Sequence, residues 1–267
     1  MSISRILLGA AIAAAISIPL AAQQAPTSYH EVACVKVNPG KSAEMEKWIA
    51  GADRKLAQSL VDSGAVAGTI ALRIQLPQGS ASECDYAFLT FFKGLPPTPW
   101  TPEELSKDLQ KAGIPMTAGE FLAKRSELAT LVYDNITQTQ TLVGGPKKGD
   151  YLAFNSMNTT DVGACLASEQ KVWKPLAEEM VKAGNSDGWV VDVQEFPRVT
   201  NGKMTVSTVD LFPSWNAFVN VYPSMMDAWK KVHPDMDFNT TMEQMGKLCS
   251  IENTVLYKVV DVTVPAK

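Results

Sequence analysis

Chemistry needs polar side chains grouped where they can act together, and this chain offers few such groups. It has two histidines. His233 lies in Val232-His233-Pro234-Asp235-Met236-Asp237, which sets an imidazole and two carboxylates at i, i+2 and i+4. That spacing suits a divalent cation, or a general base oriented by a carboxylate. The plainer reading is a polar loop in which Asp235 or Asp237 caps a turn. His30 stands at the start of a short apolar segment and reads as a surface residue. No G-x-S-x-G, phosphate-loop, dinucleotide-binding or H-E-x-x-H motif occurs, and no cysteine stands beside a histidine. The sequence therefore predicts no metal and no cofactor. His233 and Asp210 are the catalytic candidates, and His233, Asp235 and Asp237 are the alternative metal set.

A second group of residues could hold a ligand. Tyr86, Phe88, Thr90 and Phe92 alternate along one segment, and Val206, Thr208, Asp210 and Phe212 alternate along another. If Ala87, Leu89 and Phe91 pack on helices, the aromatic face lines an interior. Asp210 among apolar neighbours then needs a partner, for which Lys258 or Lys36 is predicted. Trp189 follows a glycine and could close one end of a cavity. The predicted ligand-binding set is Tyr86, Phe88, Phe92, Trp189, Asp210, Phe212 and Lys258.

The elements that must position these residues come from a repeat. Leu56-Ala57, Val61, Gly64, Gly68 and Pro77 recur 120 positions later as Leu176-Ala177, Val181, Gly184, Gly188 and Pro197. A period this long points to a duplicated domain and not to a solenoid. Before it, Arg5 precedes the apolar run Ile6 to Ile18, and Leu20-Ala21-Ala22 offers a small-residue cleavage site. Residues 1–22 thus read as a secretory signal peptide and 23–29 as a flexible mature N-terminus. Loss of Arg5 takes the formal charge from −4 to −5. Mild acidity without a basic run excludes nucleic acid as a partner, and no long apolar segment predicts membrane insertion. The expected location is periplasmic or secreted.

Within residues 30–147 the pattern reads as a strand at 30–37, a helix at 42–63 and strands at 68–76 and 85–92. Helices opening at Thr101-Pro102 and Thr117 follow, then a strand at 135–142. Met45, Trp48, Ile49, Leu56 and Leu60 share one face of the first helix. Residues 148–149 end the linker, and 150–267 repeat the order with strands at 151–157, 189–196, 203–212 and 255–262. One departure stands out: Asp192 and Gln194 occupy the places of Leu72 and Ile74, which predicts that the two copies bury different faces there.

A β-α-β-β-α-β unit is the ferredoxin-like arrangement. Two of them, with the Asn38-Pro39-Gly40-Lys41 turn into a helix and the segment Trp173-Lys174-Pro175-Leu176 to Gly188-Trp189, resemble the dimeric α/β-barrel superfamily. That superfamily includes antibiotic-biosynthesis monooxygenases and NIPSNAP-like proteins. The resemblance implies an α+β fold of two fused ferredoxin-like repeats forming a pseudo-twofold barrel, with a cavity between two sheets. Some relatives by fold bind haem, for which His233 is the one plausible axial donor; the reading without haem is preferred. In such a unit the start of the first helix lies beside the end of the last, which predicts a disulfide between Cys165 and Cys249, and less firmly one between Cys34 and Cys84. The predicted function is an exported small-molecule-binding protein, its ligand unknown, that needs no second subunit. The alternatives are a cofactor-independent monooxygenase-like enzyme acting on a small aromatic or polyketide-like molecule, and a non-catalytic scaffold.

Overall fold

The computed structural model describes residues 28–79, 82–96, 100–197 and 204–265. The predicted signal peptide and residues 23–27 of the predicted N-terminal segment lie outside the described residues. Strand β1 (Ser28–Val37) already includes Ser28 and Tyr29. It ends at the Asn38-Pro39-Gly40 turn, where Gly40 takes φ 76°, a left-handed conformation that glycine adopts without a side-chain clash. The Asn38 amide donates to the carbonyls of Ser126 and Glu127, which ties this turn to the end of a distant helix.

The first helical run is α1 (Ser42–Trp48), one π-helical turn (Ile49–Asp53) and α2 (Arg54–Asp62). Met45, Trp48, Ile49, Leu56 and Leu60 are all buried, as their spacing requires. Strands β2 (Gly68–Leu76) and β3 (Tyr86–Phe92) follow. Helices α3 (Pro102–Lys111) and α4 (Ala118–Leu128) each open with a reciprocal capping box, Thr101 with Glu104 and Thr117 with Glu120. Strand β4 (Ala129–Gly144) begins directly after α4, earlier than the predicted 135. The second half comprises β5 (Tyr151–Thr159), α5 (Val162–Lys182), β6 (Gly188–Phe196) and β7 (Met204–Phe212). Helices α6 (Trp215–Val219), α7 (Val221–Val232) and α8 (Phe238–Leu248) precede β8 (Ser250–Thr263).

The eight strands of the described residues form one closed antiparallel barrel in the order β1-β3-β2-β8-β5-β7-β6-β4. This corrects the predicted fold class. Two ferredoxin-like repeats with separate facing sheets would leave β2 and β4 as free edges. Instead β2 pairs with β8 from Thr69↔Thr263 to Leu76↔Leu256, and β4 pairs with β6 from Ile136↔Phe196 to Gly144↔Gly188. Pairing both edges satisfies two rows of N–H and C=O groups that a separate sheet exposes. The cavity is accordingly the lumen of one barrel and not a space between two sheets.

The helices coat the outside. Val35, Trp48, Tyr86, Leu105 and Phe121 pack in one outer cluster, and Val172, Leu176, Met180 and Trp229 in another. The inner cluster holds Ile70, Leu72, Ala87, Leu152, Leu211 and Tyr257. Two disulfides fasten helices and strands. Cys165 of α5 joins Cys249 at the end of α8, with Cα atoms 5.6 Å apart, and Cys34 of β1 joins Cys84 just before β3, at 5.5 Å.

Candidate functional site

The barrel lumen holds a cavity of about 510 Å³, a size typical of small-molecule sites. Its two sides differ in chemistry. Strands β3, β2, β8 and β5 contribute Leu89, Phe91, Ile70, Leu72, Tyr257 and Leu152. Strands β1, β4, β6 and β7 add His30, Thr137, Thr139, Asp192, Gln194 and Ser207. At one end Leu142 and Val264 line the lumen while each stays 58% exposed, so the lumen opens to solvent there. Gly188 allows the segment after β4 to press against β6 at this end. A Cβ there would lie 2.5 Å from the Val143 carbonyl oxygen and 2.9 Å from Gly145 N.

The polar side centres on His30 and Asp192, which are only 3% and 4% exposed. Pairing across the sheet explains their meeting. His30 stands opposite Thr137 on β4 and Phe91 on β3, and Thr139 on β4 stands opposite Asp192 on β6. The His30 Nε2 lies 2.7 Å from Thr137 Oγ1 and 3.7 Å from Asp192 Oδ2, and Nδ1 lies 3.4 Å from Thr139 Oγ1. A threonine hydroxyl both donates and accepts, so the pair of hydroxyls holds either imidazole tautomer. The ring also packs on Phe91, with centroids 4.9 Å apart.

Burial sets the electrostatics. It lowers the His30 pKa below the ordinary value of 6.5, with the Asp192 carboxylate opposing part of that shift. It raises the Asp192 pKa, opposed by His30 and by a hydrogen bond from Thr139. Asp192 Oδ1 is buried with no hydrogen-bond partner. The arrangement is a mostly neutral imidazole beside a carboxylate in an apolar chamber, suited to accept a proton near neutrality.

This site differs from the predicted one. His30, read from sequence as a surface residue, is the central polar group. Strand β3 turns Ala87, Leu89 and Phe91 to the lumen, while Tyr86 and Phe88 pack outward against the helices. The predicted face was therefore reversed, because both faces of this strand are apolar and one is buried as well as the other. Of the predicted ligand set, Phe92 alone lines the lumen, at its open end. Trp189 is buried on the outer side with Val191 and Val193, and Phe212 packs on Phe218 of α6. Lys258 lies 5.5 Å from the Tyr151 ring centroid.

Asp210 also faces outward. Its Oδ2 accepts from Asn155 Nδ2 at 3.0 Å, not from a lysine. Lys36 is held instead by Asp85 and by the carbonyls of Gly79 and Ser82. Burial pushes the Asp210 carboxyl up to about 6, with the Asn155 hydrogen bond opposing. Nearby on α5, Glu169 is pushed up to about 8 by burial first and by the charge of Asp210 second. His233 is a structural group: its Nε2 lies 2.9 Å from the Val172 carbonyl oxygen, and its ring packs on Trp229. Asp237 caps α8 by accepting from Thr240 N at 2.8 Å, and Asp235 is exposed. Among the described residues no group of three His, Cys, Asp or Glu side chains could hold a metal.

The signal for Asp192 was present in the repeat. Asp192 takes the place of Leu72, and both side chains face the lumen, so the two strands bury the same face after all. A carboxylate at a lumen position marks the site. His30 carried a weaker signal, its parity with Val32 along β1; both line the lumen.

No family model and no curated protein matches the sequence. Solved structures match in fold. A candidate monooxygenase from Fusobacterium nucleatum subsp. nucleatum superposes with a TM-score of 0.56 at 9% identity, covering 91% of this chain and 96% of that one. A candidate monooxygenase from Lactobacillus acidophilus NCFM gives 0.54 at 7% identity, covering 89% and 96%. An anthrone oxidase-like protein gives 0.50 at 12% identity, covering 91% and 95%. At these identities the likeness is one of fold, which hosts many chemistries. None of the three carries a NIPSNAP description. The chain is therefore similar in fold to proteins described as monooxygenases and as anthrone oxidase-like, and the NIPSNAP part of the resemblance is not supported.

Proposed function

We propose that the protein is a monooxygenase-like enzyme that works without a bound cofactor on a small apolar molecule held in the barrel lumen. The observation that carries this reading is the His30–Asp192 pair, buried in the wall of an otherwise largely apolar chamber. The imidazole takes a proton from an activated C–H or phenolic O–H, and the Asp192 carboxylate steadies the imidazolium that forms. The substrate anion, shielded from water, is then the reductant for O₂. For a methylene activated by an aromatic ketone the reaction balances as CH₂ + O₂ → C=O + H₂O, a four-electron oxidation matched by the four-electron reduction of O₂. The anthrone oxidase-like neighbour fits that substrate type. Export to the periplasm or outside is supported by the two disulfides, which persist in oxidising compartments.

The test is oxygen uptake by the purified protein with anthrone. Expected is one O₂ consumed per anthraquinone formed, and a fall of about 10²–10⁴-fold in kcat/KM for His30→Ala. Turnover no faster than in buffer, or unchanged in His30→Ala, sinks the enzymatic reading. Saturable binding without turnover would instead favour the second reading, a binding protein, which the apolar lumen also supports. An unfilled lumen of about 510 Å³ argues against a scaffold whose interior is filled by side chains.

A further inference from the structure

The polar side of the lumen has a defined charge character. Among the described residues that line it, the titratable side chains are His30, Asp192, Tyr133 and Tyr257, and no lysine or arginine is present. One carboxylate thus faces the lumen with no fixed cation there to balance it. Its nearest charged partner is His30, which burial holds towards the neutral form. Asp192 Oδ1 is moreover buried without a partner. Buried acceptors are ordinarily satisfied, so an orphan of this kind marks an incomplete arrangement. The terminal torsion of an aspartate is broad and roughly two-fold, so a modest turn presents either oxygen to the lumen.

We propose that the natural ligand of the lumen is an apolar molecule bearing a hydrogen-bond donor, an amine or a hydroxyl, that docks on Asp192, and that the lumen excludes carboxylic acids. This deepens the reading of the same site given above and rests on the lumen being a binding chamber. A ligand N–H or O–H completes the Asp192 acceptor set, and an ammonium also neutralises its charge. A ligand carboxylate brings only acceptor oxygens to Asp192, itself an acceptor, and finds no lysine or arginine among the described lining residues to pair with. The ligand's apolar body lies against Leu72, Leu89 and Leu152 on β2, β3 and β5.

The probes are four compounds with one ring system: 2-naphthylmethylamine, 2-naphthol, 2-methylnaphthalene and 2-naphthoate. Each is titrated into the wild-type protein at pH 7 by calorimetry. The amine and the naphthol should bind about tenfold or more tightly than methylnaphthalene, the gain expected of one charge-assisted hydrogen bond, and naphthoate should bind worst. Asp192→Asn should erase the advantage of the amine over methylnaphthalene. The wild-type series stands even if that variant does not fold. Equal affinities, tightest binding of naphthoate, or no detectable binding of any probe overturns the proposal. Oxygen uptake is a separate readout. Selective amine or naphthol binding without turnover of anthrone upholds this inference and sinks the enzymatic reading. Turnover of anthrone by a protein that prefers naphthoate does the reverse.

Discussion

The surroundings of His30 keep it neutral and in place. Phe91 packs one side of the ring, and two threonine hydroxyls approach its nitrogens. As burial depresses its pKa below 6.5, the base form is present at neutral pH. If the enzymatic reading holds, kcat/KM rises with pH through an acid limb that lies below the ordinary histidine value and is flat above it. The Asp192 charge raises the His30 pKa, so Asp192→Asn should move that limb to still lower pH and reduce the plateau. A pH–rate profile of the two proteins checks both statements. A limb above pH 7 in the wild type contradicts the buried, neutral imidazole.

Helix α5 carries the second unusual feature, a carboxyl buried between helix and sheet. Glu169 is 2% exposed and its Oε2 has no hydrogen-bond partner. Its folded pKa, about 8, lies above the ordinary 4.5. The folded state therefore binds this proton more tightly than the unfolded chain does. The stability that this group contributes is fully present below about pH 4.5 and is lost progressively as pH rises to about 8. Asp210, raised to about 6, and Glu31, raised to about 7, act in the same sense within that window. Thermal unfolding should thus give a higher midpoint at pH 5 than at pH 8. Glu169→Gln should raise the midpoint at pH 8 and flatten the dependence, by on the order of 1 kcal/mol or more. An unchanged pH dependence in that variant counts against a buried carboxyl under α5. The same helix is held at its start by Cys165–Cys249, which spans 84 residues of sequence. Replacing both by serine should cost about 4 kcal/mol if chain entropy dominates, read from denaturant unfolding, and thiol labelling of the folded oxidised protein should find neither residue.

At the scale of the molecule, closure of the barrel is what makes a chamber. Each of the two seams joins the second strand of one half to the last strand of the other, and both edges that a four-stranded sheet leaves open are consumed. A chain that closes its own sheet has no need of a second copy for that purpose. Sedimentation at low micromolar concentration should therefore give the mass of a monomer; an obligate dimer there would mean that other surfaces associate.

The sequence by itself determined the local elements. Apolar residues three and four apart specified the buried face of the helix from Met45 to Leu60, a cap residue with Pro102 and an acidic first turn specified the start of α3, a capping box that of α4, and alternation specified β2. These are short-range rules, legible because neighbouring residues alone satisfy them. The cysteine pairs were within reach as well, since element order constrains which helix ends meet. Tertiary structure decided the rest. Whether β2 and β4 end a sheet or join β8 and β6 depends on hydrogen bonds between residues far apart in sequence, and alternation looks the same at an edge and in the middle. Which face of β3 turns inward was undetermined for a related reason: Tyr86, Phe88 and Phe92 are as apolar as Ala87, Leu89 and Phe91, so burial is satisfied either way. The site follows from both decisions. His30 and Asp192 are separated by most of the barrel's sequence, and only closure through β4 sets them 3.7 Å apart.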